Sequence, residues 1–178
     1  MNKKIGILRG INVGGKRKIL MADLKLLCEK LGMENVKTYI QSGNLIFNSD
    51  KQGFELENAL EKGIAQEFGF DVPVIVRTEK ELETSINNNS FYDKDVDISQ
   101  LHLTFLKEKP AKQHIDKVSS LDHEPDKFKI KDKDVFILCE GKYHKSKLSN
   151  SFFEKQLRVG ATTRNWKTVL KLLELAKN

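Results

Sequence analysis

Asn35-Val36-Lys37-Thr38-Tyr39-Ile40-Gln41-Ser42-Gly43-Asn44-Leu45-Ile46-Phe47-Asn48 is the stretch on which the fold turns. Residues 35–41 and 44–48 are rich in β-branched and aromatic side chains, and the Ser42-Gly43 pair between them is turn chemistry. The stretch therefore reads as a β-hairpin. Upstream of it, residues 21–31 place Leu24, Leu27, Cys28 and Leu31 at i, i+3, i+4 and i+7, the spacing of one helix face, and Gly32 follows as a stop. Downstream, residues 54–68 repeat that face with Leu56, Leu60, Ile64 and Phe68, followed by Gly69. Outside the two helices lie two more strand-like runs, residues 3–9 and 72–77; Pro73 marks the second as an edge strand. Residues 79–88 read as a short closing helix.

The order β-α-β-β-α-β is the split-βαβ, ferredoxin-like pattern (alpha-beta plait), an antiparallel sheet with helices on one face. The second half opens the same way. Residues 101–106 read as a strand, 110–121 as a helix, and 127–131 with 134–139 as a hairpin around Asp132-Lys133. It then departs from the pattern. Residues 148–157 and 165–177 read as two helices, and no run after Cys139 reads as a fourth strand unless 142–144 supplies a short one. The expected class is α+β with two ferredoxin-like halves, 1–88 and 98–178, linked near Asn87-Asn88-Asn89-Ser90 and the acidic run after it.

Composition narrows the function classes. The 178 residues are 39% hydrophobic and 31% charged, the balance of an ordinary globular chain. At this length roughly 70% of the unfolded surface can be buried, so neither disulfides nor a structural metal is needed. No apolar run approaches the roughly 20 residues of a membrane span, so no membrane partner is expected. Two cysteines without a CxxC spacing and no secretory leader point to a cytoplasmic setting. The net charge of +6 is unevenly distributed. Residues 1–22 hold six basic side chains and no acid, and residues 127–178 hold 13 against five, whereas the stretch between them is net acidic. Two basic ends suit a phosphate or another anion, and a solvated surface without a partner accounts for them equally well.

Three short segments stand out. Gly10-Ile11-Asn12-Val13-Gly14-Gly15-Lys16-Arg17 fits G-x-x-x-x-G-K after a strand. Arg17, however, stands where a magnesium-holding Ser or Thr belongs, the helix begins about four residues late, and the element order gives no parallel sheet. What remains is a glycine loop shaped for chain reversal or for holding an anion, with Arg9, Lys16, Arg17 and Lys18 as cations. Gln41-Ser42-Gly43-Asn44 is either turn chemistry or a set of ligand donors. Ala161-Thr162-Thr163-Arg164-Asn165-Trp166 reads as a helix start with a Thr cap, and Arg164 and Asn165 make it a second candidate anion site. Trp166 reads as a core anchor. His102, His114, His123 and His144 show no metal spacing, Cys28 and Cys139 read as packing residues, and Glu55, Glu57, Glu79, Glu81 and Glu83 read as solvated helix surface. The RNA-binding form of the fold needs aromatics on its central strands, and 5–8 has none.

Taken together, Leu8-Arg9-Gly10-Ile11-Asn12-Val13-Gly14-Gly15, Thr38-Tyr39-Ile40-Gln41-Ser42-Gly43-Asn44 and Ala161-Thr162-Thr163-Arg164-Asn165-Trp166 resemble a mostly bacterial family, domain of unknown function 1697. The resemblance spans essentially the whole chain. It implies two ferredoxin-like halves and no assigned activity. The sequence reading thus favours binding of an anionic small molecule, nucleotide or nucleic-acid backbone. The candidate site is Arg9, Asn12, Gly14, Gly15, Lys16, Ser42, Asn44, Thr163, Arg164 and Asn165, with the three segments expected near one another. An enzyme acting on a phosphorylated or carboxylated small molecule at that place, and a protein-interaction module using an open sheet, are the alternatives. Neither cofactor nor metal is expected, and the oligomeric state is open.

Overall fold

The computed structural model describes residues 2–178. The chain forms two compact units: one runs to Glu83 and takes in Leu172–Asn178, and the other is Thr84–Lys171.

In the first unit, β1 (Asn2–Leu8), β2 (Glu34–Tyr39), β3 (Asn44–Ser49) and β4 (Val74–Thr78) form an antiparallel sheet in the order β2-β3-β1-β4. Helices α1 (Met21–Lys30) and α2 (Gly53–Phe68) lie between β1 and β2 and between β3 and β4 in the chain. Strand alternation sends Leu8, Leu45, Phe47, Val74 and Val76 to one side of the sheet, where they pack with Leu24, Leu27, Cys28, Leu56, Leu60 and Ile64 of the helices. The opposite alternation sends Ile5, Ile7, Ile46 and Ile75 to the helix-free side, and they too are buried.

As an edge strand, β4 needs acceptors for its outward N–H groups. Glu61 and Glu57 of α2 supply them, accepting from Val74 N and Val76 N at 2.9 Å each. Glu57 is therefore buried rather than solvated, because a carboxylate that accepts backbone N–H bonds can leave water at low cost. Glu55 and Glu81 are likewise occupied. Glu55 accepts from Gln52 N at the start of α2, and Glu81 accepts from Thr78 N at the start of α3 (Glu79–Asn88).

In the second unit, β5 (Leu101–Leu106), β6 (Lys127–Lys131), β7 (Asp134–Leu138) and β8 (Ala161–Asn165) form an antiparallel sheet in the order β6-β7-β5-β8. Helices α4 (Lys112–Ser119) and α5 (Asn150–Leu157) occupy the places of α1 and α2, and α6 (Trp166–Lys177) follows β8 as α3 follows β4. The core holds Leu106, Val118, Val135, Ile137, Phe153 and Leu157. Trp166 is fully buried, with its ring 5.2 Å from Tyr92.

The second half therefore completes the repeat that the sequence pattern broke off. The missing strand is β8, the segment read as a helix start; residues 142–144 form no strand. Neither Thr162 nor Thr163 caps α6. That role falls to Asn165, whose Oδ1 accepts from Thr168 N at 2.8 Å. No helix among the described residues is long and apolar enough to cross a membrane.

Candidate functional site

The connection from β1 to α1 carries the glycine segment. Its chain reversal is a miniature hairpin: Val13 and Lys16 form an isolated antiparallel bridge, Lys16 N donates to Val13 O at 3.0 Å, and Asn12 N donates to Arg17 O at 3.1 Å. Gly14 and Gly15 have φ of 58° and 74°, so the reversal uses the left-handed region that glycine enters without strain. Asn12 closes the base of this hairpin. Its Oδ1 accepts from Ile19 N, and its Nδ2 donates to Ile19 O and to Gln41 O, all at 2.9 Å. One carboxamide thus ties both ends of the loop to the β2–β3 turn.

That turn, residues 40–43, is held equally tightly. Asn44 is fully buried, and its Nδ2 donates to Tyr39 O at 3.0 Å and to Ser42 Oγ at 3.1 Å. Gly43 has φ 80°, and a Cβ there would lie 2.8 Å from Leu8 Cβ and 2.7 Å from Ile11 Cδ1. Within the first unit, the loop and the turn therefore form one bonded cluster. Arg9 leaves β1 half-buried beside it, its N–H donating to Pro73 O at 3.0 Å.

These partners sort the candidate residues by what they can still do. Asn12, Ser42 and Asn44 are committed to holding the loop and the turn. Gly14, Gly15, Lys16, Arg17 and Lys18 are exposed, and the three cations make no ion pair among the described residues. Next to them is a pocket of about 390 Å³ lined by Asn12, Gly15, Lys18, Ile19, Leu20, Asp23, Gln41 and Phe68. Leu20 and Asp23 belong to the start of α1, and Leu20, the N-cap, has no side-chain cap. The late helix start inferred from sequence thus does not remove the helix N-terminus from the loop. The hairpin folds back from Gly15 to Ile19 and brings the first turn of α1 to the same pocket.

Thr163, Arg164 and Asn165 lie in the second unit, along β8. They do not form a cluster, because successive strand residues face opposite sides of the sheet. Thr163 faces the helices, with Oγ1 2.7 Å from Thr104 Oγ1 and 3.3 Å from Asn150 Oδ1. Arg164 points to the other side and is 9% exposed. Its Nη1 donates to Thr162 Oγ1 at 3.1 Å and to Thr163 O at 3.0 Å, and burial pushes its pKa down to about 10. It stays charged at neutral pH.

Sequence reasoning passed over a residue of the same kind. Arg77, at the matching position of β4, is 4% exposed and donates from Nη1 to Val76 O at 3.2 Å. The signal was available as an Arg in an otherwise apolar strand. Both thiols are buried. Burial, with the Glu29 charge adding to it, pushes Cys28 up to about 12, and burial also raises Cys139. No group of three or more His, Cys, Asp or Glu side chains able to hold a metal gathers among the described residues.

A split-βαβ sheet repeated twice, with a glycine hairpin loop inserted after its first strand, defines the class of protein. The chain belongs to the DUF1697 family, described as a protein of unknown function, whose family model matches residues 1–136. Among solved structures it is similar to the conserved bacterial protein SP0830 from Streptococcus pneumoniae, with 26% identity and a TM-score of 0.82; the match covers 100% of this chain and 99% of that one. No curated protein matches the chain at a significant level.

Proposed function

We propose that this protein binds an anionic ligand, through a phosphate or carboxylate group, at the glycine loop of the first unit. The observation that carries the reading is the pairing of a braced loop with unspent donors. Asn12, Ser42 and Asn44 fix the backbone, while Gly14, Gly15, Lys16, Arg17 and Lys18 remain exposed beside a pocket that the uncapped start of α1 also lines. Exposed N–H groups, a helix N-terminus and unpaired ammonium groups all favour negative charge, and a loop already held in shape loses little entropy on binding. Thr163, Arg164 and Asn165 are spent on β8 and its neighbours, so the proposal rests on the first unit.

A thermal-shift titration with inorganic phosphate, sugar phosphates, nucleotides and short oligonucleotides tests the reading. One or more of these ligands should raise the melting temperature, and the rise should vanish when Lys16, Arg17 and Lys18 are all changed to Ala. Flat traces across the whole set, at concentrations up to millimolar, would sink it.

A further inference from the structure

Asn12 gathers three aliphatic side chains that the core leaves outside. Its carboxamide bonds Ile19 and Gln41 at 2.9 Å, and each bonded residue has an apolar neighbour in sequence: Val13 beside Asn12 itself, Leu20 beside Ile19 and Ile40 beside Gln41. These three are 64%, 69% and 46% exposed. The other exposed large apolar side chains among the described residues are spread over the chain from Leu26 to Leu121. Two of the three are poor choices for folding. Ile40 has φ 50°, a left-handed conformation that strains a β-branched residue and that Asn or Gly enters readily. Leu20 is the N-cap of α1, where Ser, Thr, Asp or Asn would accept a first-turn N–H and Leu accepts none. Side chains kept against the demands of the fold point to a functional site.

The charges beside them have one sign. Lys16, Arg17 and Lys18 are exposed and make no ion pair among the described residues. Unlike the pocket, which Asp23 also lines, residues 1–22 carry no acid. A Cβ on Gly14 or Gly15 would meet nothing within 4 Å, so the hairpin tip stands clear of the chain around it. A free phosphate would satisfy the cations and leave the aliphatic side chains in water. A nucleic-acid strand stacks its bases on aromatic rings, and a bilayer is gripped by Trp and Tyr; residues 9–20 and 40–43 contain no aromatic. We infer that the loop tip and the 40–43 turn dock an acidic segment of a partner protein, whose carboxylates meet Lys16, Arg17 and Lys18 and whose apolar side chains cover Val13, Leu20 and Ile40. This rests on the anion-binding reading and deepens it by giving the anion a carrier. The apolar contacts supply affinity, the cations supply steering and register, and the brace at Asn12 presents the surface already formed.

Calorimetric titration of the full chain at low salt with two synthetic peptides of equal charge tests this, one alternating Glu with Leu and the other Glu with Ser. The Leu peptide should bind about tenfold more tightly, the effect of covering roughly one aliphatic side chain. Ile40→Asn and Leu20→Ser should each bring that ratio towards one. Because the peptides carry the same charges, the ratio is blind to what a new cap does to anion affinity. Both variants should melt at or above the temperature of the unaltered protein, since each gives the fold the residue it prefers. A lost ratio with lowered melting temperatures in both would make the aliphatic side chains structural and overturn the inference. Changing Lys16, Arg17 and Lys18 together to Ala should weaken both peptides. Equal binding of the two peptides, or of neither while inorganic phosphate still raises the melting temperature, would overturn the docking surface and leave the anion site standing. No response to either peptide or to phosphate would remove the anion reading as well. Tighter binding of a thymidine oligonucleotide or of phosphatidylserine vesicles than of the Leu peptide would replace the protein partner with a nucleic acid or a membrane. A solution mass that rises with concentration, and no longer does so in Ile40→Asn, would replace it with a second copy of this chain.

Discussion

The two units share one plan and differ in one connection. Strand by strand, β1, β2, β3 and β4 correspond to β5, β6, β7 and β8, with the same sheet order. Even small devices recur. The edge strand β4 receives Glu61 at Val74 N, and the edge strand β8 receives Glu154 at Ala161 N, 3.2 Å away. Arg77 and Arg164 are both buried one residue before the strand end. What the second unit lacks is the loop. Residues 9–20, twelve in number, join β1 to α1, whereas residues 107–111, five in number, join β5 to α4. The short link is enough to build the fold. Within the longer link Ile11 and Ile19 enter the core, whereas the tip from Val13 to Lys18, with its glycines and cations, is exposed, and it is in such exposed chain that ligand-binding groups concentrate.

The comparison breaks first at Gly43. Gly43→Ala would put a methyl group against Leu8 and Ile11 at φ 80°, with overpacking and a left-handed penalty together costing about 3 kcal/mol. The corresponding turn in the second unit carries Asp132 at φ 51°, a residue that tolerates that region. Asp132→Ala should cost about 1 kcal/mol or less. Urea melts of both variants check the difference, and equal losses would mean that the first turn is not under the packing constraint described.

Asn12→Ala is the next largest. It removes three hydrogen bonds of 2.9 Å that join the loop ends to the β2–β3 turn, at a net cost of about 2 kcal/mol. The five-residue link is tied to its own hairpin turn through an exposed ion pair, Lys109 Nζ donating to Asp132 Oδ1 at 3.0 Å, which is worth less than a carboxamide bonded to backbone at three points. If the loop is the binding element, this variant also loses its response to phosphate-bearing ligands at temperatures where it is still folded, because the donors are no longer held in place.

The segments that sequence reading missed share a physical cause. β8 lacks the alternating apolar signal of a strand because its alternation is met by polar side chains with partners: Thr163 on Thr104, Arg164 on Thr162. Thr-Thr-Arg-Asn before a helical run looks like a cap, and only the register with β5 reveals a strand. Glu57 looked solvated because nothing in its neighbours shows that an edge strand 19 residues later would need an acceptor. By contrast, α1, α2 and the β2–β3 hairpin were legible, since each is written in contiguous apolar spacing. In the sequence Asn12 reads as a ligand contact, and its role as a brace depends on Gln41, 29 residues away.

A pH measurement separates the units. His102 of β5 is 7% exposed, its ring stacked 4.3 Å from Tyr143, and its Nδ1 has no hydrogen-bond partner. Burial pushes its pKa below the ordinary 6.5, partly offset by the backbone at Gln100. Below pH 6.5 the unfolded chain therefore binds a proton that the folded chain resists, so stability falls as pH drops from 6.5 towards the lowered folded value. His102→Gln should flatten that fall. An unchanged acid slope would show that His102 is not the group responsible.

The smallest effect on stability comes from the residues given the largest part in binding. Lys16, Arg17 and Lys18 are exposed and unpaired, so changing all three to Ala should move the unfolding free energy by no more than about 0.5 kcal/mol. Binding should respond in the opposite way. If these cations meet phosphate, affinity falls with log salt, and each neutralised charge on a nucleic-acid strand contributes a slope of roughly −0.7 to −0.9. The triple variant then flattens the slope for an oligonucleotide by up to about two to three units and abolishes the thermal shift with mononucleotides. The second unit supplies the control. Lys109 is exposed but already held by Asp132 at 3.0 Å, and Lys109→Ala should leave the slope unchanged. Equal changes in slope from Lys109→Ala and from any one of the three loop substitutions would mean that the protein is read as a diffuse positive surface, and the twelve-residue loop would lose its claim to be the site.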